Sequence, residues 1–160
     1  MGRRIDYHDD PDAPVANSVR PSAGAFVRSG DAILLICRSD NGNWSMPGGA
    51  HDPGESLSRT AVRETQEETG IDVALTGIVG IFTDPRHVIH YTSNDEVRQE
   101  FTVIYRAEAT GGEPTPSSES TRVEWVPIRD LSALKMDPSQ RKRVDWALTH
   151  EQPYIDPEAR

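Results

Sequence analysis

Residues 22–28 and 32–38 are short and apolar enough to be strands, and Ser29-Gly30-Asp31 between them carries a hairpin signal. Residues 32–37 are continuously apolar, which predicts a central strand buried on both faces. Apolar and polar positions alternate through residues 73–82, with Gly77 and Gly80 as points of bulging or close approach. Residues 88–91 form a shorter run, set off by a loop at 83–87 and a polar turn at 92–96. Alternation returns over residues 99–109 as a strong strand. Residues 110–120, rich in Gly, Pro and Ser, form a loop, and 122–127 are a short strand carrying Trp125. Helical spacing appears twice. Leu57, Ala61, Val62, Thr65 and Thr69 make one inward stripe, closed by Gly70 where a left-handed C-cap is needed. Val144, Ala147 and Leu148 make another, opened by Asp137 as cap and Pro138 at the first helical position. Residues 128–134 read as a helical turn. Strands outnumber helices and the two helices lie far apart in sequence, which predicts an α+β fold with a mixed sheet between helices.

The ends differ from this middle. Residues 1–18 are polar, with Pro11 and Pro14, and read as a flexible or loosely docked arm in which His8 is solvated; a homodimer exchanging this arm as a strand is compatible with it. Residues 19–150 form the domain, and the polar tail 151–160 reads as frayed. A chain of 160 residues suits one domain with a core of adequate size. Its formal charge of −9 argues against long nucleic acids as partners, and its longest basic stretch, Arg141-Lys142-Arg143, reads as a solvated helix face. No stretch of 18 apolar residues is present, so no membrane partner is expected, and a cytoplasmic location is the default. Cys37 is the only cysteine and reads as a buried thiol.

Chemistry concentrates in the first helix. Glu64, Glu67 and Glu68 stand at i, i+3 and i+4, within about 100° of arc on one side. Like charges so spaced cost a helix about 0.2–0.5 kcal/mol per pair, and only Arg63 lies among them. Such crowding is either a solvated acidic face or a site for a hard divalent cation, which takes carboxylates together with substrate phosphates.

The stretch from Gly49 to Ile71 resembles the Nudix box, G-x5-E-x7-R-E-U-x-E-E-x-G-U with U aliphatic. Gly49, Glu55, Arg63, Glu64, Glu67, Glu68, Gly70 and Ile71 match eight of nine defined positions. Thr65 departs from the pattern, and its hydroxyl needs a partner such as the carbonyl one turn back. The resemblance implies the Nudix α/β/α sandwich, with Mg²⁺ or Mn²⁺ as cofactor and a small-molecule nucleotide as substrate. It implies metal-ligand roles for Glu64, Glu67, Glu68 and the carbonyl of Gly49, and an orienting role for Arg63. Glu64 and Glu67 are then catalytic carboxylates, Glu67 sharing a second ion or accepting a proton from water. Glu55 can pair with Arg63.

Beyond the box, Glu119, six residues before Trp125, resembles the extra acidic ligand that the family supplies from a loop; Glu96 and Glu100 compete for that role. Pro85, 15 residues beyond Gly70, matches a proline of ADP-ribose hydrolases in the family. Arg86 and Arg98 are candidates to meet a phosphate or stack on a base. Trp44 either caps the core or walls the substrate pocket. His87 and His90 have the spacing of weak metal ligands, without partner cysteines for zinc. The expected activity is hydrolysis of the pyrophosphate in a nucleoside diphosphate linked to another moiety, ADP-ribose or nucleotide-sugar like, or in a nucleoside triphosphate. A non-catalytic nucleotide-sensing domain is the alternative, and RNA decapping is disfavoured by the acidic balance.

Overall fold

The continuously apolar run becomes β4 (Ala32–Arg38), and its two faces feed two separate cores. Ile33 and Leu35 join Phe26, Val79, Phe82, Ile104, Val126, Val144 and Ala147. Leu34 and Ile36 join Ala25, Val27, Ile71, Val73, Ala107 and Val123. Alternation along one strand thus fills both sides of a sheet. The computed structural model describes residues 2–158.

Chain order gives β1 (Arg4–His8), β2 (Ser18–Val19), β3 (Ser22–Ser29), β4, β5 (Trp44–Ser45), β6 (Gly48–Ala50), α1 (Leu57–Thr69), β7 (Ile71–Phe82), β8 (His87–Tyr91), β9 (Glu96–Gln99), β10 (Thr102–Gly112), β11 (Ser120–Pro127), a 3₁₀ helix (Ile128–Ala133) and α2 (Pro138–Thr149). The large sheet runs β11-β4-β3-β10-β7, with β3 and β10 parallel and the other neighbours antiparallel. The smaller sheet runs β1-β8-β9-β2. α2 supplies Val144 and Ala147 to one core, and α1 packs Val62 against the other. No helix among the described residues is long and apolar enough to cross a membrane.

One feature of the sheet brings loop backbone to the first helix. β3 and β4 pair only next to their turn, at Arg28↔Ile33 and Ser29↔Ala32. Beyond that they part, β5 pairing with β4 and β6 with β3. The split admits the Pro47-Gly48-Gly49 backbone to the sheet. A Cβ on Gly24 would lie 2.7 Å from the Pro47 oxygen, and one on Gly48 would lie 2.8 Å from the Ala23 oxygen. Only glycine allows this approach.

α1 forms as its sequence predicts. Ser56 accepts from the Arg59 N–H at 3.2 Å, and Gly70 closes the helix at φ +75° with its N–H on the Gln66 carbonyl. The Thr65 hydroxyl donates to the Ala61 carbonyl at 2.7 Å, so the off-pattern residue is satisfied inside its own helix. The inward face is Thr60, Ala61, Thr65, Glu68 and Thr69, while Leu57 and Val62 are half-buried. α2 opens as expected, with Asp137 accepting from the Ser139 N–H.

Four expectations are corrected. The N-terminal arm is not loose, because Arg4–His8 is a strand paired with β8 throughout, and His8 reaches Asp137 at 3.1 Å. The tail docks: Tyr154 donates its N–H to Val79 O and accepts from Ile81 N–H, each at 2.9 Å, and stacks on Phe82. It thereby covers part of β7, an edge strand. Residues 99–109 are not one strand, for the chain changes sheets at Glu100-Phe101; alternation continues across the break and hides it. Within Arg141-Lys142-Arg143, Arg143 is buried against Glu100, and Arg141 donates to the carbonyls of Leu131 and Leu134.

Gly80 and Gly77 differ in what they permit. A Cβ on Gly80 would meet the Tyr154 Cβ at 2.6 Å, whereas one on Gly77 would meet nothing closer than 3.8 Å. Gly80→Ala is therefore expected to lower stability by about 1–3 kcal/mol. Gly77→Ala should leave it within about 0.5 kcal/mol. Urea midpoints of the two variants, compared with the parent, check this.

Candidate active site

The backbone that enters the split sheet lies against one edge of α1. A Cβ on Gly49 would fall 2.5 Å from the Glu64 carboxyl carbon, so glycine leaves the space that this carboxylate occupies. The Gly48 N–H donates to Glu68 Oε2 at 3.2 Å. Arg63 organises the rest: its Nε and Nη2 grip Glu55 at 2.7 and 2.9 Å, and its Nη1 reaches Glu64 Oε1 at 2.9 Å and Glu67 Oε2 at 3.1 Å. The expected Glu55–Arg63 pair is present, and the arginine holds Glu55 down at about 2.

Burial separates the three box glutamates. The Glu68 side chain is about 7 % exposed and that of Glu67 about 55 %. Burial, reinforced by the charges of Glu64 and Glu119, pushes the Glu68 carboxyl up to about 8, although the Gly48 N–H opposes this. Burial also raises Glu64, with Arg63 opposing and Glu67 and Glu119 adding to the rise. Glu119 is thus close enough to act on both, and its carbonyl is pinned to the end of β4 by the Ser39 N–H and hydroxyl, each at 3.0 Å. This is an all-oxygen donor set in which carboxylates outnumber the one guanidinium bonded to them, and it fits a hard divalent ion.

These groups open onto a cleft of about 890 Å³. Gly49, Glu64, Glu67, Glu68, Glu119, Trp44 and Arg98 all line it. Trp44 is buried in the core and also lines the cleft, with the Arg122 guanidinium 5.2 Å from its ring. Pro85 and Arg86 do not line the cleft. Their loop turns to the N-terminal strand, where the Asp9 N–H donates to the Arg86 carbonyl and Arg86 pairs with Asp84 and Asp9. Glu96 and Glu100 do not compete with Glu119. Glu96 is engaged by Arg98 and Ser18, and Glu100 by Arg143, His87 and the Asp84 N–H.

Sequence reasoning missed Arg4, Asp6, Arg38 and Tyr91, which also line the cleft. The one available signal was alternation in Arg4-Ile5-Asp6. His87 and His90 do not act together, since three strand residues apart they face opposite sides, and His90 pairs with exposed Asp95. His87 instead meets Asp6 at 3.2 Å and stacks on His8. The donor atoms of Asp6, His8 and His87 lie within 4.8 Å of one another. Arg4 holds both oxygens of Asp6 at 3.0 Å, however, which makes this a paired ionic network. Burial works to lower His87, but the Asp6 and Glu100 carboxylates overcome it and raise the imidazole to about 9.

A family model described as NUDIX domain matches residues 18–147. A "MutT-like protein" of Streptomyces ambofaciens is 33% identical over 110 residues, covering 69% of this chain and 64% of that one, so the chain spans less than two thirds of that relative. A "Putative 8-oxo-dGTP diphosphatase" of Bacillus subtilis is 32% identical over 126 residues, covering 76% of each chain. Among solved structures, an ADP-ribose pyrophosphatase from Streptococcus suis superposes with TM-score 0.66 at 25% identity, covering 87% of this chain and 100% of that one. A NUDIX hydrolase from Nitrosomonas europaea superposes with TM-score 0.67 at 19% identity, covering 82% and 89%.

The His87 network makes a prediction about pH. An imidazole raised from 6.5 to about 9 contributes its stability fully below pH 6.5 and loses it as pH passes 9. The loss should be on the order of 2 kcal/mol. Glu68, raised from 4.5 to about 8, also contributes a loss with rising pH, but one complete near pH 8. Urea unfolding between pH 8 and 9.5 should therefore show a decline in the parent and little in His87→Gln, although that variant is weaker at pH 7.

Proposed function

The chain belongs to the NUDIX family of hydrolases, and from that premise we propose that it hydrolyses the pyrophosphate of a nucleoside diphosphate linked to another moiety, with Mg²⁺ or Mn²⁺ as cofactor. The observation that carries this is that Glu64, Glu67, Glu68 and Glu119 line one cleft, with room for groups beyond a diphosphate. A divalent ion bound by these carboxylates would neutralise anhydride oxygens and lower the pKa of water.

The chain's own groups divide the remaining work. Glu68, buried and fixed by the Gly48 N–H, and Glu64, fixed by Arg63 beside Gly49, are rigid oxygen donors. Glu67 is the solvent-open member, placed to accept the proton of the attacking water as the bond from phosphorus to the bridging oxygen breaks. Arg63, held by Glu55, bridges Glu64 and Glu67 and orients them. The products would be a nucleoside monophosphate and the phosphorylated second moiety. With Pro85 outside the cleft, its spacing no longer supports ADP-ribose in particular. Nucleoside triphosphates are the second reading, supported by the relative described as a putative 8-oxo-dGTP diphosphatase.

A panel of ADP-ribose, nucleotide sugars and nucleoside triphosphates with Mg²⁺ or Mn²⁺, scored for nucleoside monophosphate, phosphate and pyrophosphate, tests the proposal. Glu64→Gln and Glu68→Gln are expected to lose about 100-fold or more in turnover with the fold retained. Near-parental rates in both variants would exclude the site. Nucleotide-dependent stabilisation without turnover of any substrate would instead identify a sensing domain.

A further inference from the structure

β1 lies outside the segment matched by the family, residues 18–147, yet Arg4 and Asp6 line the same cleft as the box glutamates. Cross-strand pairing sets out what this added strand builds. Arg4 stands opposite Tyr91 and Tyr91 opposite Glu96; Asp6 stands opposite Ile89 and Ile89 opposite Arg98. Residues directly opposite share a face, so all six lie on one side of the small sheet. Five of them line the cleft, and that side is therefore one of its walls.

Both arginines of this wall are already paired. Arg4 donates to both oxygens of Asp6 at 3.0 Å, and Arg98 to both oxygens of Glu96 at 2.8 Å. Two parallel bonds fix a guanidinium plane and compensate its charge. The cleft as a whole is lined by eight carboxylates against five arginines. This wall therefore offers little attraction for a further phosphate. It does offer flat surfaces: the Arg98 carbon Cζ lies 4.5 Å from the centre of the Tyr91 ring, with Ile89 alongside. Guanidinium and aromatic planes stack on planar heterocycles, whose uncharged faces need no counter-charge.

We propose that the small sheet is the nucleobase-binding wall of the cleft, with Arg98 and Tyr91 as the stacking surface and Arg4, brought in by the N-terminal strand, as its outer edge. This rests on the reading of the substrate as a nucleotide and adds the position of its base, on the small sheet. The Asp6–His87 and His8–Asp137 contacts are the positioning bonds that keep β1 in place.

Calorimetric affinities for the common nucleoside monophosphates and for ribose 5-phosphate test this without relying on turnover. The parent should prefer at least one nucleotide over the base-free sugar phosphate. Arg98→Ala and Tyr91→Leu should each cut that preference roughly tenfold or more, and Arg4→Ala should cut it by less. Arg98→Lys should behave like Arg98→Ala, because it keeps the charge and loses the plane. Equal losses for both ligands, full affinity in Arg98→Lys, or no preference in the parent would overturn the wall. An active enzyme whose variants fail in that way would leave the hydrolase reading standing and remove only this one. A parent with the expected preference and no turnover would do the reverse.

Discussion

Crowded negative charge on one edge of α1 is the constraint to which the rest of the molecule answers. Burying Glu68 beside Glu64 and Glu119 costs on the order of a few kcal/mol for the ionised form, which is why its carboxyl titrates near 8. A protein tolerates such a cost where it serves a site. The surrounding structure limits it without removing it. Arg63 touches three glutamates but leaves Glu68 to a single backbone N–H. That N–H belongs to Gly48, which reaches α1 only because β3 and β4 separate and admit the loop backbone between them. The topology of the sheet and the chemistry of the helix edge are one arrangement.

A second set of charges joins the two sheets. Glu100 sits where the chain passes from β9 to β10, and it takes Arg143 from α2, His87 from β8 and the Asp84 N–H. His87 then meets Asp6 of β1, and His8 of the same strand meets Asp137 at the start of α2. Burying one such charge alone would be strongly unfavourable, so the network holds only while each member has its partner. It draws Glu100 down to about 2 while raising His87 to about 9. The N-terminal strand is in this way tied to both the small sheet and the helical layer.

This contrast explains what the sequence disclosed. The box helix was legible because its determinants are local: the Ser56 cap, the Gly70 cap and glutamates at helical spacing lie within one short stretch. The hairpin of β3 and β4 was legible for the same reason. Glu119 and Trp44 were reachable through position relative to those elements. The small-sheet wall was not, since the contacts that hold it join residues 81 and 129 apart, and those residues are polar enough to pass for solvated surface. Arg143 was misread likewise, because a buried ion pair and an exposed basic face use the same residue type. The direction of the loop carrying Pro85 was not legible either, because it depends on the strand it meets, and that strand was itself hidden in a polar arm.

The box and the small-sheet wall therefore pose different electrostatic problems. At the box, carboxylates outnumber their partners, and any phosphate approaching them is repelled. At the small-sheet wall, Asp6 and Glu96 already offset Arg4 and Arg98, so the surface is close to neutral and can accept an uncharged plane without penalty. A cation held at the box edge and a phosphate brought to it relieve the same repulsion. Each must then strengthen the binding of the other by an equal factor, as linkage requires. An acidic cleft that would be a poor receptor for phosphate alone becomes selective for phosphate and divalent cation together, and the neutral wall leaves the remainder of the molecule to be recognised by shape and stacking.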